Sequence, residues 1–294
     1  IDELKIIGQY RAMITNIERK TVFDLRPSRA KADLLPYFRS LRDKDTIEWV
    51  AMDMYHVYKQ VVRATLPQAR IVVDRFHIQR MANDALEKLR KRIRKDLPAR
   101  QRLKLKDERF LLLKRQHDLK GADMARALEW FRQFPQLGEA HALKEGFLSL
   151  WDQKSRPDAE TACAKWLGNI PSELTATFKD LTTAVHNWHD EIFAYFEQPI
   201  TNAYTESVNR LAKDMNRMGR GYSFEVIRAR MLYDEKARKD GAVVETVLVD
   251  DDQASTNFEY QRMTMASIRK KQVRRVVEYG PYIPTLVRLL EEGY

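Results

Sequence analysis

The chain of 294 residues carries 52 Lys and Arg against 42 Asp and Glu, a formal net charge of +10. A surplus of this size favours a polyanionic partner, nucleic acid above all, because released counterions drive such binding. The single cysteine, Cys163, excludes an intrachain disulfide and any cysteine-based zinc site and fits a reducing cytoplasm; there is no secretory-signal pattern, and no apolar run approaches the roughly 20 residues of a membrane span.

In chain order, residues 1–7, 9–18 and 20–24 read as three strands with short connections, an antiparallel meander. Asp2 already falls inside the first of them, so further residues are expected upstream. Residues 29–41 form a helix with Ala30, Leu34, Leu35, Phe38 and Leu41 on one face. Two β-branched apolar runs follow, 47–52 and 71–73, each ending in an aspartate, Asp53 and Asp74. Between them Val57, Val61, Val62 and Leu66 recur at helical spacing. Strand, crossover helix and parallel strand form a right-handed unit, and open α/β sheets place their sites at the C-terminal ends of such strands. The expectation is a mixed sheet, antiparallel in one half and parallel in the other, with its first and fourth strands adjacent.

From residue 77 to about 196 strand signals vanish. Ile78, Met81, Ala82, Ala85, Leu89 and Ile93 make one helical stripe, Lys88, Arg90, Lys91, Arg92, Arg94 and Lys95 face away from it, and Pro98 ends the helix. The basic run 88–104 reads as a solvated face or as a track for a DNA backbone. Further helices are predicted over 108–114, 122–134, 137–152, 159–167 and 174–197, a region holding four of the five tryptophans, read as core with base stacking as the alternative. Helices 201–216 and 224–239 follow, then an acidic linker at 249–256 and a basic helix over 259–279. The expected organisation is therefore a first part of an α/β core (1–80), a helical insertion (81–197), the closing helices of the core (198–240), and a linker with a basic tail (241–294).

Three carboxylates stand out by position: Asp2 on the first strand, Asp53 at the end of the fourth, and Glu206 on a helix after the insertion. Acids drawn from separate elements suit hard divalent cations. Asp74 rivals Asp53, since it too ends a strand; its other reading is the N-cap of the next helix. His77 reads as a histidine bonded to Asp74 or as a ligand. Glu206 is followed by Asn209, Arg210, Lys213 and Arg217 at offsets of 3, 4, 7 and 11, either a solvated face with helical ion pairs or an acid flanked by phosphate-contacting groups, with Asn202 as the N-cap.

The stretches IDE (1–3), VAMDMYHVYKQVVRATLPQARIVVDRFHIQRMANDALEKLR (50–90) and NAYTESVNRLAKDMNRMGRGYSFEVIRARML (202–232) resemble the DDE-type transposases of bacterial insertion sequences, specifically the ISL-three family. The resemblance implies an α/β, ribonuclease-H-like fold interrupted by a helical insertion. It implies that Asp2, Asp53 and Glu206 bind two Mg²⁺ or Mn²⁺ ions, for phosphodiester hydrolysis at a transposon end and attack of the freed 3′-hydroxyl on target DNA. The partners it implies are double-stranded DNA and further copies of the chain, in the cytoplasm. Asp74-Arg75-Phe76-His77 resembles a D-x-x-H signature with a structural or DNA-proximal role. The zinc-ribbon and helix-turn-helix region usual at the N-terminus of family members is not in this sequence. A ribonuclease-H-like nuclease or resolvase, and a domesticated DNA-binding protein that cuts nothing, are the competing expectations.

Overall fold

The computed structural model describes residues 1–42 and 44–240, with side chains as far as 233; the expected linker and basic tail lie outside the described residues. β1 (Asp2–Ile6), β2 (Gln9–Asn16) and β3 (Thr21–Arg26) form the expected antiparallel meander. Ile6 pairs with Gln9, which leaves Ile7 and Gly8 as a two-residue loop with φ of 50° and 70°. Positive φ at both positions is the turn whose twist matches the flanking strands. After α1 (Lys31–Ser40), β4 (Trp49–Met52) pairs in parallel with β5 (Arg70–Val73) across the crossover helix α2 (His56–Thr65). Met52 is opposite Val73, so both strands end at one level and Asp53 and Asp74 leave side by side.

The strands do not form the single mixed sheet that the pattern suggests. Hydrogen bonding divides them into a three-stranded and a two-stranded sheet. One bond bridges the two, from the Ile1 nitrogen to the Ala51 carbonyl at 2.6 Å. It still lays the start of β1 against the end of β4.

Period-2 alternation gives the meander two apolar faces. Ala12 and Ile14 of β2 turn toward Leu34 and Phe38 of α1, while Leu4, Ile6, Met13 and Leu25 turn the other way. That second face packs on Val208, Ala212 and Met215 of α11 (Ala203–Met218) and on Ile227 and Met231 of α12 (Phe224–Asp240). Arg228 Nε of α12 donates to Asp24 Oδ1 of β3 at 2.8 Å.

Helix predominates between β5 and α11. α3 (Arg75–Lys95) runs for 21 residues and buries Ile78, Ala82, Ala85, Leu86 and Leu89. Then come α4 (Ala99–Asp107), α5 (Arg109–Leu113), α6 (Ala122–Gln133), α7 (Pro135–Leu148), α8 (Arg156–Gly168), α9 (Thr175–Asn187) and α10 (His189–Phe193). α3 packs on α7 and α9, so it joins β5 to the helical part. Among the described residues no helix is long and apolar enough to cross a membrane.

Three local expectations change. Arg90, assigned to the polar face of α3, is 3 % exposed: its guanidinium grips Glu87 at 2.7 and 2.9 Å and donates to the Leu105 carbonyl of α4 at 2.7 Å. α4 was not legible because Leu105 is its one buried residue. The helix expected over 174–197 breaks at Trp188, whose ring turns in to meet the His56 ring of α2 at 5.1 Å. Trp130, Trp166 and Trp188 are all buried.

Lys144 is wholly buried; its ammonium takes the Leu113 and Lys114 carbonyls at the end of α5 (3.2 and 2.6 Å) and pairs with Glu145 at 2.9 Å. Burial, and then the Lys144 charge, push the neighbouring His141 from 6.5 to about 4. A histidine held neutral in the fold contributes its full share of stability above its unfolded value, and loses it as the pH falls through the window from 6.5 to about 4. Up to roughly 3 kcal/mol is at stake by this linkage. Urea midpoints of wild type and His141→Leu, followed from about pH 7 to about pH 4, should therefore converge or cross as the pH drops; a constant gap would show that His141 does not titrate on unfolding.

Candidate active site

Asp2, Asp53 and Glu206 come from the start of β1, the end of β4 and the first turn of α11. The Ile1–Ala51 bond brings the first two together. Asn202, fully buried just before α11, ties the third to them: its backbone N–H donates to Asp74 Oδ2 at 3.3 Å and its side-chain amide to the Ile1 carbonyl at 3.4 Å. Asn202 occupies the N-cap position, as expected, but its side chain makes no cap bond to the helix backbone, being turned inward to β1. About two turns further along, Asn209 Nδ2 donates to Asp2 Oδ2 at 2.7 Å, and between them Thr205 bonds Thr15 of β2 at 2.7 Å.

Asp2 is 5 % exposed. Burial, then the hydrogen bond with Asp53 and its charge, raise the Asp2 carboxyl from 3.8 to about 8. Burial also works to raise Asp53, but its contacts with His77 and Asp2 outweigh that and hold it below the usual carboxylate range. The two acids thus titrate as a pair, with Asp2 raised and Asp53 lowered, the ordinary outcome for buried like charges in contact.

His77, in the first turn of α3, stands between the acids. Its Nδ1 lies 2.6 Å from Asp53 Oδ1, and its Nε2 lies 3.6 Å from Glu206 Oε1. Burial opposes charge on the ring, yet Asp53, Asp74 and Asp2 raise its pKa above the ordinary imidazole value. His77 meets Asp74 only through the backbone, its N–H donating to the Asp74 carbonyl at 3.1 Å, and the imidazole does not bond the Asp74 carboxylate, both of whose oxygens are engaged elsewhere: Oδ1 accepts from the Phe76 N–H at 3.1 Å, capping α3, and Oδ2 accepts from Asn202. Asp74 is 1 % exposed and serves the scaffold.

The row of polar groups expected after Glu206 is divided. Asn209 faces inward and holds Asp2, whereas Arg210, Lys213 and Arg217 are exposed, with Arg217 paired to Asp214 at 3.0 Å. The sequence puts Glu206 and Asn209 on one face; that the Asn202 and Asn209 amides turn inward to β1 is legible only in the structure. The spacing of four and three residues puts Asn202, Glu206 and Asn209 on one helix face, and amides on a buried face need partners.

Among the described residues no group of three His, Cys, Asp or Glu is already arranged to hold a metal ion; the imidazole occupies the gap between Asp53 and Glu206. The donor chemistry nevertheless fits a hard divalent cation. Asp2 and Asp53 offer carboxylate oxygens in contact, and Asp53 Oδ1 is buried with no aligned hydrogen bond. A cation there would take the place of the shared proton.

A family profile described as a transposase, of the DDE group's ISL-three branch, matches residues 1–231. The chain belongs to that family. The transposase for insertion sequence element IS1001 of Bordetella parapertussis is 24 % identical over 221 residues, covering 73 % of this chain and 54 % of that protein. The chain thus spans about half the length of this curated relative. No solved structure matches it significantly. The matched region takes in all three acids, His77 and both asparagines.

The role assigned to Asp74 has a direct check. Asp74→Ala removes the acceptor of two N–H groups, one of them buried, so it should lower unfolding stability by about 2–4 kcal/mol in urea titration. A change within a few tenths of a kcal/mol would show that the clamp between α3 and α11 carries nothing.

Proposed function

We propose that this chain is the catalytic part of an insertion-sequence transposase, cutting DNA at transposon ends and joining the freed 3′-hydroxyl to target DNA. The reading carries with it a ribonuclease-H-like core formed by the two sheets with α1, α2, α11 and α12, interrupted by the helical segment 81–197. Its carrying observation is the meeting of Asp2, Asp53 and, through His77, Glu206 from three distant stretches of chain. Family membership supports a transposase over a junction-cutting nuclease, and the presence of all three acids supports it over a descendant that cuts nothing.

Asp2, Asp53 and Glu206 would hold two Mg²⁺ or Mn²⁺ ions, which supply activation of the attacking oxygen and stabilisation of the leaving one. The chain's own work is positional. Asn209 and the Glu3 N–H, at 2.7 and 2.6 Å, fix the two Asp2 oxygens. His77 braces Asp53 from the other side at 2.6 Å. Asn202 fixes where α11 begins and so where Glu206 enters. A phosphate held against groups this constrained needs little reorganisation on reacting. Duplex DNA is the partner, and a homo-oligomer acting on paired ends in the cytoplasm is the working assembly.

The test is Mn²⁺-dependent nicking of a transposon-end oligonucleotide by the full-length protein. Asp53→Asn should abolish nicking, a loss beyond the about 10- to 100-fold that removal of an outer-shell partner causes, while affinity for the same oligonucleotide stays within a few-fold. Undiminished nicking by Asp53→Asn would overturn the assignment.

A further inference from the structure

We propose that α3 is a measuring arm: a duplex whose reacting phosphate sits at Asp53 runs along one face of α3, and cations at the far end of that helix grip its backbone about eight base pairs away. This deepens the transposase reading and rests on it.

The face is defined by the sequence and the site together. His77, Met81, Asp84, Lys88 and Lys95 succeed one another at intervals of 4, 3, 4 and 7, so they form one stripe along α3. His77, at its start, touches Asp53 and Glu206. Beside the next residues a groove of about 450 Å³ opens between α3 and α9, walled by Met54, Met81, Lys179, Asp180 and Asn187. Met54 directly follows Asp53, so the groove begins at the catalytic acids. The two acids along the path are neutralised, Asp84 by Arg80 at 3.9 Å and Asp180 by Lys88. A polyanion following the stripe therefore meets no bare negative charge there.

At the far end the balance turns positive. Arg92 and Lys95 of α3 and Arg100, Arg102 and Lys106 of α4 are exposed, and none is ion-paired among the described residues. The acids of that segment are Asp96 and Asp107. Five unpaired cations against two acids make a surface for a regular polyanion. It is also rigidly joined to the site: Glu87 and Arg90 bond to each other within α3, Arg90 takes the Leu105 carbonyl of α4, and Arg109 at the head of α5 approaches Glu87 at 3.5 Å.

That rigidity turns charge into distance. From His77 to Lys95 is 18 residues of continuous helix, about 27 Å at the helical rise. At 3.4 Å per base pair this is about eight base pairs of duplex.

The experiment is fluorescence anisotropy with the full-length protein and duplexes that end at the cleavage junction. They extend from about four to about sixteen base pairs on the transposon side in one series and on the flanking side in another. Wild-type affinity should step up as the duplex passes about eight base pairs in one series, which identifies the side that α3 measures. The variant Arg92→Gln/Lys95→Gln/Arg100→Gln/Arg102→Gln should lose that step, binding the longest duplex at least about tenfold more weakly, with a salt slope reduced by roughly one per cation. On the shortest duplex it should bind and nick like wild type, and its melting temperature should be unchanged because it breaks no ion pair. Equal affinity of the two proteins for the longest duplex, or an equal loss at every length, would overturn the proposal and give the patch to another partner, such as an acidic protein. Failure of the wild type to nick any duplex with Mn²⁺ would strike the transposase reading instead, while the length series still decides the binding face.

Discussion

Two carboxylates pressed together out of water set the terms for this molecule. Asp2 and Asp53 cannot both ionise cheaply at that separation and burial, and the Asp2 carboxyl is pushed well above the usual carboxylate range. Were both ionised, they would repel across the junction of β1 and β4, where a single backbone bond joins the two sheets. What surrounds the pair is a ring of polar partners: Asn209, the Glu3 N–H and His77. Holding such a pair out of water weakens the fold, a cost expected where stability is given up for function.

Much of the framework is legible in the sequence for definite reasons. The meander follows from alternation, and β4, α2 and β5 follow from two short β-branched runs with a helical spacing between them. The placement of Asp53 and Asp74 at strand ends needs no more than that. Parallel register then brings them side by side, and only three-dimensional packing tells them apart. Asp74 is turned inward to two N–H groups, and Asp53 faces His77 and Asp2.

What the sequence hides is mostly long-range pairing. Nothing near Asn209 says that its amide will meet Asp2, more than two hundred positions earlier. Arg90 looks like a solvated cation because its neighbours are, yet the docking of α4 buries it on Glu87. α4 itself carries too few apolar residues to announce a helix. The break at Trp188 depends on a ring in α2 that periodicity cannot see.

α11 closes the structure by reaching back to the beginning of the chain, with Asn202 bonded to Ile1 across 201 positions and to Asp74 across 128. Closures over such lengths form late, since their entropy is lost before any contact rewards it. A nascent chain stalled before α11, or one shortened by a frameshift, has neither the third acid nor the clasp that would hold it. The three acids therefore assemble only in a copy made through α11, and a fragment that stops short of it keeps β1 and β4 without the helix that brings Glu206 and Asn209 to them.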